Sequence, residues 1–453
     1  MLRSRKARIG ASLLTLALLA SACSSRDDDD AATGDEGSGG EDTESLIPTD
    51  HCATDPTEEI EGDVIKLVSS YPQSGQYAAY SEIARGWMAY FDKVNDEGGV
   101  QIGDRTFTIE YETADDQYNA AETAANIDRL VGPDGDGAFA VFSVVGTANN
   151  VAIRDTLHEL CVPNLFAATG SPQWGNPDYP WMIGSTLTPY TIEAAAFAEL
   201  LQEIKPDAKV AMLRQDDDFG DAYEAGFKMA IEGTDIELVE VQEYSPGTDP
   251  TPQVTSLANS GADAFLNGAA LLPCPQALTA KEEAGWEAIT WVSGTCLSKT
   301  LMGIAGEAGA DAYGASNLKD PLNPDWDDDP AMQEYLETVQ TYQPDGFDPE
   351  NAVVGYGYTQ AAIFIEALEQ AEAPTRLAVM EAMYDLEVSD VGLLLPGVTI
   401  RTSPDDKFMG ETVQLAQYEW TGPDARNHFV PQGDLIDYEG RTAEVTPEEL
   451  INS

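Results

Sequence analysis

The sequence predicts an α/β protein of two lobes, each built on a mostly parallel β-sheet. Strands alternate with helices in two consecutive series, and this alternation is typical of parallel sheets covered by helices on both faces. The chain has 453 residues, and about 390 remain once a polar N-terminal region is set aside. That length favours two lobes over a single hydrophobic core.

The N-terminus has the pattern of a secretory signal peptide. Basic residues precede a short apolar stretch, Ala11–Ala22, which is too short for a membrane span. The segment Leu19–Cys23 resembles the lipobox of bacterial lipoproteins, in which the cysteine becomes the first mature residue and carries lipid. The alternative is a free cysteine inside a discarded signal peptide. We predict a signal peptide over residues 1–22, lipidation of Cys23, and attachment to the extracytoplasmic face of the cell membrane.

A polar tether is predicted over residues 23–60. It is rich in Asp, Glu, Gly, Ser and Thr and has few apolar residues, so it cannot bury enough surface to fold. The whole chain carries a formal net charge of −57. This charge argues against binding to nucleic acid and against docking on anionic lipid.

Four cysteines remain if Cys23 is lipidated. An exported chain permits two disulfides among them, in three possible connectivities. We favour Cys274–Cys296, because both would follow successive strands of one sheet. Cys52 and Cys161 both precede strands, which places them together at the opposite edge. Their spacing does not fit a metal site, and no metal or cofactor is expected.

The predicted elements follow in order, and most are short β-rich or apolar-periodic segments bounded by turn residues. In the first series they are Val64–Ser70, helix Ala78–Asn95, strand 106–112, helix Ala120–Val131, strand 138–145, helix Val151–Leu160 and strand 162–167. In the second they are helix Ile192–Ile204, strand 209–215, helix Tyr223–Glu232, strand 236–244, helix Thr251–Ser260, strand 263–269, helix Gln276–Ala284 and strand 288–294.

The rest of the chain is predicted to return to both lobes. Helices Pro330–Tyr342, Ala352–Ala371 and Thr375–Tyr384 are assigned to the first lobe, and the β-rich segments 396–402 and 411–420 to the second. The predicted ligand-binding domain is 61–436. Its first lobe comprises about 61–187 and 319–386, its second about 188–318 and 387–436, and 437–453 is a C-terminal tail.

Loops that follow the strands are the candidate binding elements, because ligands of open parallel sheets bind beyond the carboxyl ends of strands. Four such loops contain small residues and lead into helices, whose first amides can hold an anion. They are Tyr71–Tyr80, Val145–Asn150, Ala167–Pro177 and Asp216–Tyr223.

These loops resemble those of the type I periplasmic binding proteins, in particular the branched-chain amino acid and amide receptors of ABC importers. The similar motifs run from about Val64 to Val430 in the family's order, and they are SGQYAAY, NDEGGV, DDQY, VGTANN, VPNLFAATGSPQWG, YPWMIG, DFGDAY and YTQAAIFIEAL. The resemblance implies two Rossmann-like lobes joined by crossing segments that act as a hinge.

The resemblance also implies the ligand-binding residues, which are Tyr80, Thr147, Asn150, Ala167, Ala168, Thr169, Trp174, Phe219 and Tyr358. Backbone amides and hydroxyls would hold the polar head of the ligand, and aromatic rings would flank it. One departure stands out, because amino-acid-binding relatives place a glutamate after the strand at 288–294. Here the loop is Gly294–Leu297, without an acid, which argues against a free α-amino acid ligand.

We therefore predict a monomeric, lipid-anchored solute-binding receptor that delivers an amino acid, an amide or a related organic acid to an ABC permease with a separate ATPase. The alternative is a ligand-sensing surface receptor of the same fold. Catalytic residues are not expected, because the three histidines lie outside the loops and no phosphate-binding Gly-Lys motif occurs.

Overall fold

The computed structural model describes residues 47–132, 137–343 and 346–453. They form two large β-sheets with helices on both faces of each, as the alternation of strands and helices predicts. No described helix combines the length and the apolar character that crossing a membrane requires. The predicted signal peptide and Cys23 lie outside the described residues.

The first sheet has the order β2-β3-β1-β4-β5-β6 and is parallel except for the β2–β3 hairpin. Its central strands are buried on both faces, which explains their continuous apolar sequences. The strands are Val64–Tyr71 (β1), Val100–Ile102 (β2), Arg105–Asp115 (β3), Ala140–Phe142 (β4), Asn164–Ala167 (β5) and Met182–Gly184 (β6).

The second sheet has the order β15-β14-β11-β10-β9-β7-β8, and five of its strands are parallel. These five are Lys209–Gln215 (β7), Glu237–Tyr244 (β8), Ala264–Gly268 (β9), Ile289–Val292 (β10) and Tyr313–Ser316 (β11).

The late β-rich segments divide between two sheets. Glu387–Ser389 (β12) and Thr399–Arg401 (β13) pair only with each other, whereas Thr412–Glu419 (β14) and His428–Asp437 (β15) extend the second sheet in antiparallel fashion. Segment 396–402, predicted to belong to the second lobe, contributes a strand to the separate β12–β13 pair, whereas segment 411–420, predicted for the same lobe, contributes β14 to the second sheet. Val388 and Ile400 belong to a large core cluster that contains residues of both sheets, such as Leu67 and Leu213.

Helices cover both sheets. They are Ser81–Asp96 (α1), Ala120–Val131 (α2), Thr147–Leu160 (α3), Tyr190–Ile204 (α4), Asp218–Ala230 (α5), Thr251–Leu257 (α6), Pro273–Glu283 (α7), Lys299–Ala305 (α8), Pro330–Tyr342 (α9), Ala352–Gln370 (α10), Arg376–Met383 (α11) and Glu448–Ile451 (α12).

The long helix α10 returns to the first lobe and packs against α1. Glycines at the contact bring the two backbones together, because a Cβ on Gly86 would lie 2.0 Å from Val354 O and one on Gly357 would lie 1.9 Å from Ile83 O. Any larger residue at either position would force the helices apart. This contact places α10 against the first helix of the first series.

Three segments cross between the two sheets, after β6, after β11 and after β13. They lie side by side, since Asn317 Nδ2 donates to Thr186 O at 2.7 Å and the amide of Leu395 donates to Asn317 O at 2.9 Å. The crossing segments thus form the hinge that the resemblance implies. The residue limits of the two lobes remain predictions.

The N-terminal segment 47–60 is packed on the first lobe rather than extended as a tether. The disulfide Cys52–Cys161 joins it to the end of α3, and the amide of Ile60 donates to Pro374 O at 2.9 Å. Ile47 is only 1% exposed. Composition alone predicts a tether here because it does not reveal these long-range contacts.

The predicted second disulfide, Cys274–Cys296, is also present, at the carboxyl ends of β9 and β10. The C-terminal segment 437–453 is not a free tail either. The Tyr438 ring is fully buried and its hydroxyl donates to Glu199 Oε2 at 2.9 Å, while the hydroxyls of Thr446 and Thr191 share a hydrogen bond of 2.7 Å.

Candidate ligand-binding cavity

A cavity of about 150 Å³ lies between the two sheets, next to the crossing segments. Loops at the carboxyl ends of strands in both sheets form its wall, as the topology of parallel sheets requires. The first-lobe part is Tyr80, Ile83, Tyr118, Val145, Gly146, Ala168, Ala352, Val353 and Tyr356. The second-lobe part includes Tyr190, Phe219, Ala270, Gly294, Thr295 and Leu297.

Aromatic rings form much of this wall. Tyr80 ends the short turn before α1, and Phe219 lies in the first turn of α5. Tyr190 packs edge-to-face on Phe219, with ring centroids 4.8 Å apart. The predicted residues Tyr80, Phe219 and Ala168 therefore lie at one cavity, although they come from different lobes.

The predicted polar residues of the loops Val145–Asn150 and Ala167–Pro177 lie behind the residues that line the cavity. The hydroxyls of Thr147 and Thr169 share a hydrogen bond of 2.6 Å, and Tyr190 Oη donates to Thr169 Oγ1 at 3.1 Å. Asn150 Nδ2 donates to Val144 O and Gly146 O at 2.8 and 2.9 Å. These three predicted residues hold the loops in shape and do not line the cavity.

Two more predicted residues pack beneath the same loop. Ala167 and Trp174 belong to a small buried cluster with Met182. The indole Nε1 of Trp174 donates to Thr169 O at 3.0 Å, so this ring supports the loop from behind.

Tyr358 points away from the cavity, and Tyr356 takes the place predicted for it. The Tyr358 ring packs against Tyr90 and Tyr335, with centroids 4.8 and 5.1 Å away. Tyr356 lines the cavity and shares a hydrogen bond with the hydroxyl of Ser185 on the first crossing segment. Two residues turn a helix by about 200°, so the two side chains lie on opposite faces of α10.

The sequence interpretation also did not assign Tyr118 or Lys319 to the site. Tyr118 has a positive φ of 62° and stacks on Tyr77 at a centroid distance of 4.0 Å. Lys319 enters from the second crossing segment, but its ammonium is paired with Asp329 at 2.8 Å. The position of Tyr118 in a loop, shortly after the pair Asp115 and Asp116, could have indicated that it belongs to the site. Nothing in the sequence around Lys319 indicates such a role.

Hydrogen bonds join the lobes directly above the cavity. Tyr77 Oη, from the first lobe, donates to Gln215 Oε1 at 3.1 Å, and Tyr80 Oη donates to Thr295 O at 3.3 Å. Tyr244 Oη also donates to Gln215 Oε1 at 3.1 Å. These bonds hold the two lobes in contact beside the cavity.

A buried acid lies behind the loop that follows β10. Glu193 is 0% exposed, and its Oε2 accepts hydrogen bonds from Tyr223 Oη at 2.7 Å and from the amide of Gly294 at 2.8 Å. Burial raises the pKa of Glu193 to about 8, although the hydrogen bond from Tyr223 opposes this shift. Glu193 lies in an alanine-rich helix, so its sequence context gives no sign of a site.

Two groups of possible metal ligands occur among the described residues, and neither lines the cavity. In one, the sulfurs of Cys52 and Cys161 are already joined in a disulfide beside His51. In the other, carboxylates of Asp406, Glu411 and Glu439 lie within 4.8 Å of one another.

Comparison with known proteins gives a consistent result. A sequence profile of a family described as periplasmic binding protein matches residues 64–424, whereas a search of curated protein sequences finds no match. A branched chain amino acid ABC transporter protein from Thermus thermophilus with bound valine is a similar solved structure. It has 19% identity and a TM-score of 0.72, over 84% of this chain and 100% of that one.

Two other similar structures carry different ligands in their names. A fatty acid ABC transporter substrate-binding protein from Thermomonospora curvata has 20% identity and a TM-score of 0.70, over 86% of this chain and 96% of that one. A solute binding protein from R. palustris in complex with 4-hydroxybenzoate has 18% identity and a TM-score of 0.69, over 83% and 97%. At such identities the likeness concerns the fold.

Proposed function

This chain belongs to the periplasmic binding protein family, and we propose that it is an extracytoplasmic solute-binding lipoprotein of an ABC importer. It captures a small polar or amphipathic ligand between its closing lobes, namely an amino acid, an amide or a related organic acid. The closed protein then presents the ligand to a membrane permease, and a separate ATPase drives import. No chemical step is proposed for this chain.

The observation that carries the proposal is the cavity between the two sheets, because residues of both lobes wall it. A ligand that contacts Tyr80 on one lobe and Phe219 on the other stabilises the closed arrangement over the open one. The crossing segments supply the hinge about which the lobes move.

The lining supports a ligand with an apolar body and a small polar head. Aromatic and aliphatic side chains dominate the wall, and each well-buried apolar contact contributes by area. Helix α3 starts at the cavity after Gly146, with no capping side chain among the described residues, so its first amides can receive a carboxylate. Valine, a fatty acid and 4-hydroxybenzoate, named for the similar structures, share this chemistry of a carboxylate on an apolar body.

Native mass spectrometry of the purified protein tests the proposal by searching for a co-bound small molecule. Calorimetry with that molecule then compares wild type with Phe219→Ala and Tyr80→Ala. A buried aromatic ring contributes roughly 1–3 kcal/mol, so each change should weaken binding about tenfold or more. Tyr342→Ala, which removes a ring at the surface of α9, is the control. If both Phe219→Ala and Tyr80→Ala bind the molecule with the affinity of wild type, this cavity is not the binding site.

Membrane attachment through Cys23 is a separate part of the proposal, supported by the signal pattern and the lipobox-like segment. Cys23→Ser should release the protein into the medium or leave it as an uncleaved precursor. Fractionation of cells that express the variant measures this directly. A variant that is still processed and still held at the membrane would contradict lipidation.

A further inference from the structure

The disulfide Cys52–Cys161 lies beside a histidine at the surface of the protein. The Nε2 atom of His51 is 3.6 Å from Cys161 Sγ. One ligand atom from each of His51, Cys52 and Cys161 lies within 4.8 Å of the other two. Two thiolates and an imidazole are donors that Zn²⁺ binds in proteins. The oxidised cysteines offer no thiolate, so this donor set exists only after the disulfide is reduced.

Stacking holds the imidazole of His51 in a defined position. Its ring lies on the ring of His158, with a centroid distance of 4.1 Å and an interplanar angle of 17°. His158 in turn packs edge-on against Tyr179, whose hydroxyl donates to Asp155 Oδ1 at 2.8 Å. The exposed His51 is therefore fixed beside the sulfur by residues of the first lobe.

Hydrogen bonds keep the two cysteines together independently of the covalent bond. The amide of Ala53 donates to Glu159 O at 2.8 Å, and the hydroxyl of Thr54 donates to Leu160 O. Arg376 Nη1 donates to Thr54 Oγ1 at 3.1 Å. Reduction should therefore leave the two thiols close to each other in the folded chain, although 109 residues separate them in the sequence.

The other disulfide lacks these features. Cys274 and Cys296 are both fully buried, and among the described residues they belong to no group of three possible metal ligands. Cys52 is partly exposed, whereas Cys161 is fully buried. A reductant therefore reaches Cys52 first, and Cys161 is the sulfur that leaves. The pair Cys274–Cys296 is an internal control within the same chain.

We propose that reduction of Cys52–Cys161 creates a binding site for a thiophilic divalent metal ion such as Zn²⁺, with His51 Nε2, Cys52 Sγ and Cys161 Sγ as its ligands. The metal then replaces the disulfide in attaching the N-terminal segment 47–60 to the first lobe. Three protein ligands leave the fourth tetrahedral position to water. This inference goes beyond the proposed function and does not depend on the ligand of the cavity.

Formation of the site needs one dithiol and one metal ion. A thiolate of the dithiol attacks Cys52 Sγ and forms a mixed disulfide, and Cys161 leaves as a thiolate that takes up a proton. The second thiol of the reductant then attacks the mixed disulfide, frees Cys52 and closes a cyclic disulfide. Two electrons and two protons thus pass from the dithiol to the cysteine pair. Binding of Zn²⁺ releases these two protons, because the metal binds thiolates.

Zinc titration of the reduced chain tests the inference, in a Cys23→Ser background that removes the remaining thiol. Dithiothreitol reduces the folded protein, and desalting without oxygen removes the reductant. Peptide mapping with a thiol label should find Cys52 and Cys161 free and Cys274–Cys296 intact. Calorimetry with zinc chloride should then give one bound ion per reduced chain and about a hundredfold weaker binding or none to the oxidised chain. Zinc should also raise the melting temperature of the reduced chain, and a chelator should reverse this.

Substitutions identify the ligands. His51→Ala keeps both thiols and should weaken zinc binding about a hundredfold or more, since even the loss of a contact that supports a ligand costs about 10–100-fold. His428→Ala, which removes a histidine on β15, is the matched control and should bind zinc like wild type. Cys52→Ser should abolish binding. Cobalt(II) in the reduced chain should give a thiolate-to-metal charge-transfer band, which Cys52→Ser weakens and His428→Ala leaves unchanged.

Four results would overturn the inference. A reduced, folded chain that binds no zinc has no such site. Zinc that binds the oxidised chain equally well, or that is retained in Cys52→Ser, is held elsewhere, as by the carboxylates of Asp406, Glu411 and Glu439. Equal affinities of His51→Ala and His428→Ala would exclude the imidazole as a ligand. Circular dichroism gives the fourth, because a Cys52–Cys161 bond that opens only when the chain unfolds cannot form the site in the folded protein.

Discussion

Closure of the lobes should depend on two phenol hydroxyls that reach across the cavity. Tyr77 Oη donates to Gln215 and Tyr80 Oη donates to Thr295, and both rings are buried, at 5% and 7% exposure. Tyr77→Phe and Tyr80→Phe each remove one hydroxyl and keep the ring. These hydrogen bonds exist only when the lobes meet, so their loss should weaken the closed state without weakening either lobe.

The expected size follows from the partners that remain. A hydrogen bond between neutral groups contributes about 1 kcal/mol to the state that contains it, and this corresponds to about a fivefold weaker ligand affinity. Gln215 keeps the donor Tyr244 after Tyr77→Phe, so that variant should lose less affinity than the other. Thr295 O loses its phenol donor in Tyr80→Phe, which should therefore cost more. The double variant should weaken binding about 25-fold if the two bonds act independently.

Two measurements check this prediction. Calorimetry with the co-purified ligand gives the affinity, and small-angle scattering of the ligand-free protein gives the radius of gyration, which should increase in the double variant. Tyr342→Phe is the matched control, because its hydroxyl bonds Asp96 within one lobe at 3.2 Å. If both cavity variants bind and scatter like this control, the cross-lobe hydrogen bonds do not govern closure.

Four further predictions concern stability and the ligand site. Replacing the cysteines of Cys52–Cys161 by alanine should cost about 1–1.5 kcal/mol more unfolding free energy than replacing those of Cys274–Cys296, because the sequence separations are 109 and 22; equal denaturant midpoints would contradict this. Burial raises the pKa of Glu411 to about 8, so its contribution to stability is present below about pH 4.5 and is lost as pH rises through 8. The melting temperature of wild type should fall over that window more steeply than that of Glu411→Gln, and parallel curves would refute the assignment. Tyr356→Ala should weaken ligand binding about tenfold, whereas Tyr358→Phe, which keeps the packed ring, should bind like wild type in calorimetry. The reverse result would show that Tyr358, as predicted from the sequence, contacts the ligand. With a net charge of −57, the melting temperature should rise from low to molar sodium chloride because salt screens repulsion, and a flat curve would show that the charges are spaced too widely to matter.

The sequence predicts the periodic elements well, because their signals are local. Helix Pro330–Tyr342 has the predicted limits, since Asp329 caps its start and Pro330 occupies its first turn. The order of strands and helices in both series likewise follows from hydrophobic patterns and turn residues.

The site is predicted less well, because it depends on which face of an element meets the other lobe. The two tyrosines of the Gly-Tyr-Gly-Tyr segment of α10 are equivalent in composition, and only packing against α1 and α9 decides that Tyr356 faces the cavity. Glu193 is hidden for a similar reason, since it belongs to a mostly apolar helix and meets the loop after β10 only in the folded protein. Long-range contacts of this kind leave no periodic trace in the sequence.

The attachment of segment 47–60 also determines how the protein would respond to a pulling force. Tension applied from the N-terminal side first reaches the body at the buried Ile47, and at Cys52 it passes through the disulfide into Cys161, at the end of α3. Residues beyond Cys52 and the three crossing segments lie outside this path, so the hinge carries no load. The first lobe is then the part held by the N-terminal segment. The second lobe can move about the hinge, because the pulling force does not act on it.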